Sequence, residues 1–222
     1  MPSDTAQSRL AEIQARIARA ATTAGRKPTD VALIAISKTH DAEAIRPLID
    51  AGQRVFGENR VQEAAAKWPA LREAHPDIRV HLVGQLQSNK AREAVELFDA
   101  LHSVDRPSLV AALAKAMDES GRRPDCFIQV NIGDEPQKGG VAVADLPALL
   151  AESRAAGLPV VGLMAVPPVG VDAAPYFALL AKLARDSALD GLSIGMSDDF
   201  ETAVTIGATH VRVGTALFGA RA

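Results

Sequence analysis

The sequence has few of the features that mark secreted, membrane-bound or nucleic-acid-binding proteins. Only one of the 222 residues is cysteine, so an internal disulfide is excluded and a reducing compartment, the cytoplasm, is expected. The net charge of -3 and the lack of a dense Lys/Arg run argue against nucleic acid as the main partner. No long apolar run occurs, and the N-terminal segment alternates charged with apolar residues at helical spacing. We therefore expect neither a signal peptide nor a membrane span.

Metal ligands are also sparse. The histidines lack the close spacing of a metal site, so no metal is expected; they are His40, His75, His81, His102 and His210. His81 is expected to be an inward-facing strand residue. The lone Cys126 lies in the strand-like run DCFIQVNI (125–132), which predicts a buried structural thiol instead of a nucleophile.

The chain does contain a regular alternation of short β-branched or apolar runs with helical stretches rich in Ala, Leu and Glu. This pattern is typical of a parallel sheet built from βα units. Strands are predicted at 31–38, 54–58, 79–84, 100–104, 126–132, 160–166, 192–197 and 210–216. Helices are predicted near 41–51, 59–73, 88–97, 107–120, 143–156, 172–188 and 198–206. Helix N-caps are expected at Asp41, Ser88 and Ser197, and C-terminal glycines at Gly52, Gly121 and Gly157.

Eight βα units in a chain of this length favour the α/β class and a (β/α)8 TIM barrel over an open doubly wound sheet. No linker rich in Pro, Gly or Ser divides residues 1–222, so a single domain is predicted. Only LFGARA (217–222) follows the last predicted strand, which leaves no room for an eighth outer helix. An amphipathic N-terminal helix at about 6–24, with Leu10, Ile13 and Ile17 on one stripe, is expected to cover that gap.

Lys38 is the last residue of the apolar run VALIAISK (31–38). A lysine at the end of a buried strand is desolvated, which lowers its pKa and frees its amine to attack a carbonyl. The alternative is a lysine whose ammonium group simply extends into solvent. The sequence therefore makes Lys38 a candidate for a Schiff-base lysine.

The ends of the last two predicted strands suggest an anion site. In (β/α)8 barrels the chemistry lies at the carboxyl ends of the strands, and loops after strands seven and eight commonly hold phosphate. Strand seven ends in GMSDD (195–199), where Ser197 offers a hydroxyl beside a helix N-terminus. Gly214 and Thr215, after strand eight, offer bare backbone and a second hydroxyl. We call Ser197, Gly214 and Thr215 the phosphate cup, although an N-cap and a tight turn would also explain them.

Arg212 is expected to face the barrel interior, because residues two apart along a strand share a face. A buried arginine requires a partner such as a carboxylate or a ligand acceptor. A reactive lysine opposite a phosphate cup suits an aldehyde that carries a phosphate. Pyridoxal 5'-phosphate (PLP) fits this description, and so does the sugar phosphate of an aldolase.

Several separate motifs extend over nearly the whole chain: AISKTH (35–40), FGENRVQEA (56–64), HLVGQLQSNK (81–90), LHSVDR (101–106), GLMAVPP (162–168), LSIGMSDDFETAV (192–204) and RVGTALFG (212–219). Together they resemble the YggS/PROSC family of pyridoxal phosphate homeostasis proteins. The resemblance implies a barrel similar to the N-terminal domain of alanine racemases, with PLP as a Schiff base on Lys38 and its phosphate in the cup. It also implies that Arg212 faces the pyridine nitrogen.

The same resemblance implies further pocket residues, namely Asn59, Met164, Gly84, Ser88 and Asn89. Lys138 matches a second lysine that would handle or pass on PLP; the other interpretation is a solvated loop lysine. The chain departs from the family pattern at rim positions, with Arg60 in place of an aromatic residue, Val80 in place of Trp and Gln85 in place of Pro.

The predicted pocket favours a carrier over an enzyme. An arginine opposite the pyridine nitrogen leaves that nitrogen unprotonated and weakens PLP as an electron sink. A racemase also needs a second acid/base group, which alanine racemases take from a C-terminal domain and a partner subunit, whereas this sequence ends just after strand eight. We expect a monomeric carrier or regulator of the PLP, vitamin B6 and amino-acid pools, with apo-PLP enzymes as recipients. The alternatives are a weak PLP-dependent racemase and a Schiff-base aldolase.

Overall fold

The computed structural model describes residues 5–219, and most of them build a closed parallel barrel with surrounding helices. Along this part of the chain the strands are β1 (Ala32–Ile36), β2 (Val55–Glu58), β3 (Arg79–Leu82), β4 (Ala100–Val104), β5 (Asp125–Asn131), β6 (Val141–Ala142), β7 (Val160–Met164), β8 (Gly191–Ser193) and β9 (His210–Val213). Each barrel strand pairs in parallel with its neighbours, β9 pairs with β1, and β4 pairs with β5. Only the two-residue β6 lies outside the ring, paired with β5. The predicted (β/α)8 barrel is confirmed.

The helices fall close to the predicted positions: α1 (Ala6–Thr23), α2 (Ala42–Asp50), α3 (Val61–Ala74), α4 (Ala91–Leu97), α5 (Pro107–Ser120), α6 (Leu146–Ala155), α7 (Ala174–Asp186), α8 (Phe200–Ile206) and α9 (Thr215–Phe218). Asp41 caps α2 as predicted, since its carboxylate accepts a hydrogen bond from the amide of Ala44 at 2.9 Å. Two predicted N-caps are wrong. Ser88 opens a 3-10 turn ahead of α4, and Asp199 occupies the N-cap position of α8 in place of Ser197.

Five strands end two or more residues earlier than the sequence predicted. β3 ends at Leu82 and β7 at Met164, each two residues before the predicted ends at 84 and 166. β1 ends at Ile36, β8 at Ser193 and β9 at Val213, two to four residues before the predicted ends at 38, 197 and 216. The residues beyond these ends leave the barrel wall as loops at its mouth, which apolar periodicity cannot distinguish from strand. A single helical turn, α9, also follows β9, where no outer helix was expected.

Helix α1 covers the side of the barrel that α9 is too short to cover. Its buried face includes Leu10, Ile13 and Ile17, as the helical stripe predicted. Arg16 pairs with Glu201 of α8 at 2.7 Å. The Arg9 side chain donates a hydrogen bond from Nε to the carbonyl of Leu217 in α9 at 2.7 Å. The N-terminal helix therefore closes the ring of helices between α8 and α2.

The barrel interior contains a cluster of histidine rings. Nδ1 of His81 and Nε2 of His102 lie 3.1 Å apart and share a hydrogen bond, and the His102 ring stacks on Phe127 at 4.2 Å between centroids. His210 packs against Phe127 at 5.1 Å. Burial lowers the pKa of His81 to about 3 and that of His210 to about 4, and it lowers the pKa of His102 well below its usual value. These three rings are therefore neutral at physiological pH, and the inward orientation expected of His81 is confirmed.

The thiol, the helices and the potential metal ligands each give a further result. Cys126 is fully buried in β5, and burial raises the pKa of its thiol to about 12, so it is the structural thiol that was predicted. Among residues 5–219, no helix combines the length with the apolar character that crossing a membrane requires. In the same range no group of three or more His, Cys, Asp or Glu side chains is arranged to bind a metal ion.

Candidate functional site

A cavity of about 320 Å³ lies at the carboxyl ends of the barrel strands. It is lined by Ile36, Lys38, Asn59, Val83, Val166, Met196, Ser197, Arg212, Gly214 and Thr215. This Lys38 cavity brings together the candidate lysine, the whole phosphate cup, Asn59 and Arg212, although they come from four different βα loops and strands. Met164 is the one principal candidate that it does not include: Met164 is buried at the end of β7, and Val166, in the loop after β7, lines the cavity instead.

Lys38 occupies a different environment from the one expected. It lies two residues beyond the end of β1 and is exposed, so the burial that was expected to desolvate its amine is absent. Its side chain instead borders a cavity whose other walls include the apolar Ile36, Val83 and Val166. Lys38 is therefore accessible to a molecule that enters the barrel mouth.

The loop that carries Ser197 depends on a glycine. Gly195 has φ of +89°, and a Cβ atom there would lie 2.6 Å from the Cβ of Ala203 in α8. The turn is completed by Asp199, whose carboxylate accepts a hydrogen bond from the amide of Met196 at 2.6 Å. This geometry places Ser197, which is partly exposed, in the cavity lining together with Gly214 and Thr215.

A Gly195→Ala variant is expected to lose about 3 kcal/mol of unfolding free energy or more, because left-handed strain and overpacking add. Gly121→Ala is a matched control, since Gly121 has φ of +70° but a Cβ atom there would meet nothing within 4 Å. The control is expected to lose only about 1 to 2 kcal/mol. Urea denaturation of both variants measures the difference, and equal losses would show that contact with Ala203 does not constrain this loop.

Arg212 is buried in the barrel at the base of the cavity, as alternation along β9 predicted. No carboxylate contacts its guanidinium among the described residues. Its partners are the carbonyl and hydroxyl oxygens of Ser193, both at 2.7 Å from Nη1, and the carbonyl of Ala165, 2.9 Å from Nη2. Burial lowers its pKa to about 10, so the side chain still carries a positive charge at physiological pH.

Sequence reasoning missed two groups of residues that support the site. The Ser193 hydroxyl also lies 2.9 Å from Nδ1 of His102, which links Arg212 to the histidine cluster. Beneath the loop that carries Lys38, Lys67 of α3 forms a buried ion pair with Glu58 at 2.8 Å. A charged pair inside FGENRVQEAAAK (56–67) could have been suspected from the motif, but its contact with the Lys38 loop could not.

The remaining candidates lie outside the Lys38 cavity. Gly84 borders a neighbouring cavity of about 480 Å³, and Asn59 lines both cavities. Arg60 and Gln85, two positions at which the chain departs from the family pattern, also line this second cavity. The Ser88 hydroxyl accepts a hydrogen bond from Arg106 at 3.3 Å, and Asn89 is exposed.

Lys138 is not a simple solvated lysine. Its amine forms an ion pair with Glu135 at 2.5 Å and donates a hydrogen bond to the carbonyl of Pro167 at 3.0 Å. These contacts tie the loop after β5 to the loop after β7. Lys138 does not line the Lys38 cavity.

The chemistry of the Lys38 cavity fits a phosphorylated aldehyde of the PLP type. Its lining combines an accessible amine, two hydroxyl groups, glycine backbone and a buried cation. The apolar side chains of the same lining suit a flat ring. Fold and site together define a (β/α)8 barrel with an accessible lysine, two hydroxyl groups and a buried arginine around a cavity at its mouth.

Comparison with known proteins gives the family. The family model described as alanine racemase, N-terminal domain, matches residues 8–222. The chain is 43% identical over 223 residues to the pyridoxal phosphate homeostasis protein of Pseudomonas aeruginosa, covering 98% of this chain and 96% of that protein. It is 40% identical over 222 residues to the protein of the same name from Escherichia coli, covering 96% and 95%. The chain belongs to the pyridoxal phosphate homeostasis protein family.

Solved structures agree. PipY of Synechococcus elongatus, solved with PLP bound, is 44% identical with a TM-score of 0.76, covering 91% of this chain and 100% of that chain. Alanine racemase of Bacillus anthracis, with 18% identity and a TM-score of 0.64, covers 94% of this chain and 56% of that chain. The second likeness shows the fold alone.

Proposed function

We propose that this protein binds PLP covalently through Lys38 and acts as a carrier and regulator of the intracellular PLP and vitamin B6 supply. The observation that carries the proposal is that Lys38, Ser197, Gly214 and Thr215 line one cavity. The relatives named for PLP homeostasis, and PipY with PLP bound, support the same ligand.

Each cavity residue has a proposed role. PLP supplies an aldehyde, on which a lysine amine can form a C=N bond as the aldehyde oxygen leaves as water. Lys38 provides that amine, and the hydroxyls of Ser197 and Thr215 with the backbone at Gly214 hold the phosphate. Arg212 keeps a positive charge at the cavity base, which leaves a ring nitrogen beside it without a proton. Asn59 and Val166 border the ring.

The test of the covalent link is borohydride reduction of the PLP-loaded protein followed by peptide mass mapping. A reduced phosphopyridoxyl group is expected on the peptide that contains Lys38. Modification of another lysine in its place would overturn the assignment of Lys38.

The proposed role is that of a carrier instead of an enzyme. The relatives' names describe homeostasis and not a reaction, and the comparisons do not favour the racemase alternative. Incubation with single enantiomers of alanine or serine, followed by chiral chromatography, tests this point directly. Sustained inversion at ordinary enzyme rates would overturn the carrier role, and a colourless protein that cleaves sugar phosphates would indicate the aldolase.

Ser197→Ala is expected to weaken PLP binding by about tenfold, because one hydrogen bond to a charged phosphate is worth roughly 1.5 kcal/mol. Pyridoxal has the same aldehyde without the phosphate, so its affinity is expected to stay within about twofold for the same variant. Titrations of both compounds, followed by absorbance, measure the contrast. An equal loss for pyridoxal and PLP would remove Ser197 from the phosphate cup.

We also propose the broader setting of the protein. The strands that close the barrel extend from Ala32 to Val213, which supports a single PLP-binding domain. The absence of any disulfide partner for Cys126 supports a cytoplasmic protein. The small, self-contained barrel fits a monomer that delivers PLP to apo-enzymes. Sedimentation of the protein alone tests the monomeric state, and sedimentation with an apo-enzyme tests the association.

A further inference from the structure

The loop that carries Lys38 is attached to helix α3 through a buried lysine. Lys67 Nζ donates hydrogen bonds to the carbonyls of Ser37 and His40, both at 2.8 Å, and forms an ion pair with the Glu58 carboxylate at 2.8 Å. The Lys67 side chain is only 8% exposed and Glu58 is fully buried. Both ends of the four-residue loop 37–40 are therefore attached to one cation.

Further contacts hold the middle and the start of the same loop. The amide of Thr39, which has φ of +66°, donates a hydrogen bond to the carboxylate of Glu63 in α3. The Ser37 hydroxyl donates to Oε1 of Glu58 at 2.6 Å, and Nε1 of Trp68 donates to the same oxygen at 3.1 Å. Thr39 is held in a left-handed conformation that β-branched residues rarely adopt, so the surrounding contacts must maintain it.

The opposite side of the loop contacts α9, the helix that begins at the cup residue Thr215. The ring of His40 stacks on Phe218 of α9 at 4.2 Å between centroids and 12° between planes, and α9 begins at Thr215. The Lys38 loop therefore lies between the α3 contacts and the helix that follows the cup. Because the Lys38 side chain is exposed and is not held by packing, the backbone of the loop sets the region that its amine can reach.

We propose that Lys67, with Glu58 and Glu63, is a positioning residue that fixes the Lys38 loop so that the Lys38 amine meets an aldehyde in the cavity. This inference rests on the proposed function. Lys67 does not touch the ligand, because it lies behind the loop and outside the cavity lining. It acts by restricting the backbone on both sides of Lys38, which lowers the cost of bringing the amine to a reactive position.

The test measures the rate of covalent adduct formation, with pyridoxal and with PLP. The main variant is Lys67→Met combined with Glu58→Gln, which removes the ion pair without leaving one buried charge unpaired. We expect adduct formation to slow by about tenfold with both compounds, because misplacement of the amine does not depend on the phosphate. Ser197→Ala, in contrast, should change only the reaction with PLP.

A second pair of variants leaves the Lys67–Glu58 ion pair in place and changes Glu63, whose carboxylate also lies 3.8 Å from Lys67 Nζ. Glu63→Ala removes the acceptor for the Thr39 amide and is expected to slow adduct formation by about threefold to fivefold, whereas Glu63→Gln keeps an acceptor oxygen and is expected to restore the rate. Leu149→Ala, a cavity-forming change in α6, provides a control with lowered stability far from the site. It should lower the midpoint of urea denaturation and leave the rate unchanged.

The outcomes separate this inference from the proposed function. If the wild-type protein forms no adduct on Lys38, both are overturned. If the wild type forms the adduct and the Lys67/Glu58 and Glu63→Ala variants form it at the wild-type rate, the positioning role alone is overturned. A rate that falls equally in Leu149→Ala would assign the effect to stability and would also overturn it.

Discussion

A Lys38→Ala variant is expected to retain no PLP through gel filtration and to show no phosphopyridoxyl mass after borohydride reduction. The physical reason is that, among the described residues, Lys38 is the one lysine in the cavity lining that contains the phosphate cup. Noncovalent contacts of Ser197, Gly214 and Thr215 remain, so weak and reversible binding should persist. We expect the apparent affinity to fall on the order of a hundredfold or more, because the covalent bond and its orientation are lost together.

Two controls sharpen this prediction. Lys38→Arg keeps a positive charge at the cavity but provides no amine that can form the C=N bond, so it should lose the adduct as well. Lys138→Ala removes a lysine that is tied to Glu135 and Pro167 away from the cavity, and it should keep the adduct in full. An unchanged adduct mass in Lys38→Ala would show that another amine holds the cofactor.

The second large effect is a loss of stability in mild acid. The three barrel histidines have pKa values below the usual 6.5, at about 3 for His81 and about 4 for His210, with His102 also well below. Above pH 6.5 neither the folded nor the unfolded state protonates these rings, so they contribute no pH dependence there. As the pH falls from 6.5 toward 4, the unfolded state binds protons that the folded state does not, and stability decreases.

The size of this effect follows from proton linkage. Each histidine contributes a slope of roughly 1.4 kcal/mol per pH unit within this window, so three of them approach roughly 4 kcal/mol per unit. That slope over two pH units is comparable with the whole stability of a typical domain, about 5 to 15 kcal/mol. We therefore expect the protein to unfold near pH 5 under conditions that leave it folded at pH 7.

Urea denaturation at several pH values between 7 and 4.5 measures the slope. His81→Gln is expected to lower the unfolding free energy at pH 7, because it disturbs the contact with His102. Below pH 6.5 the same variant should reduce the slope of unfolding free energy against pH by roughly 1.4 kcal/mol per pH unit, because one titrating histidine is removed. A stability that stays constant from pH 6.5 to 4.5 would contradict the neutral state of this cluster.

The sequence predicted the barrel well because its determinants are local and repeated. Apolar strand runs and amphipathic helices recur along the chain, and a parallel sheet of that size has few ways to bury both faces. Helix α5 begins and ends at the predicted residues, and the stripe of α1 is buried as expected. The ends of β1, β8 and β9 were wrong because loop residues at the barrel mouth are apolar or small, as in a strand.

The candidate site was predicted as a set of residues but not as an environment. Alternation along β9 was enough to orient Arg212 inward, yet its partners are Ser193 and Ala165 instead of a carboxylate. The expected burial of Lys38 failed because the chain leaves the barrel wall two residues earlier. Met164 was expected in the pocket and is buried below it, since the chain continues past β7 and brings Val166 to the cavity.

The sequence by itself determined the fold class, the order of the βα units and which residue types reach the strand ends, because these follow from periodicity and turn chemistry within short segments. Only the tertiary structure decided that a buried ion pair of Lys67 and Glu58 lies behind the Lys38 loop, and that His40 stacks on Phe218. The contacts of Lys67 with Ser37 and of His40 with Phe218 join residues distant in the chain, and they depend on how the helices pack around the barrel. Local pattern contains no information on such distances.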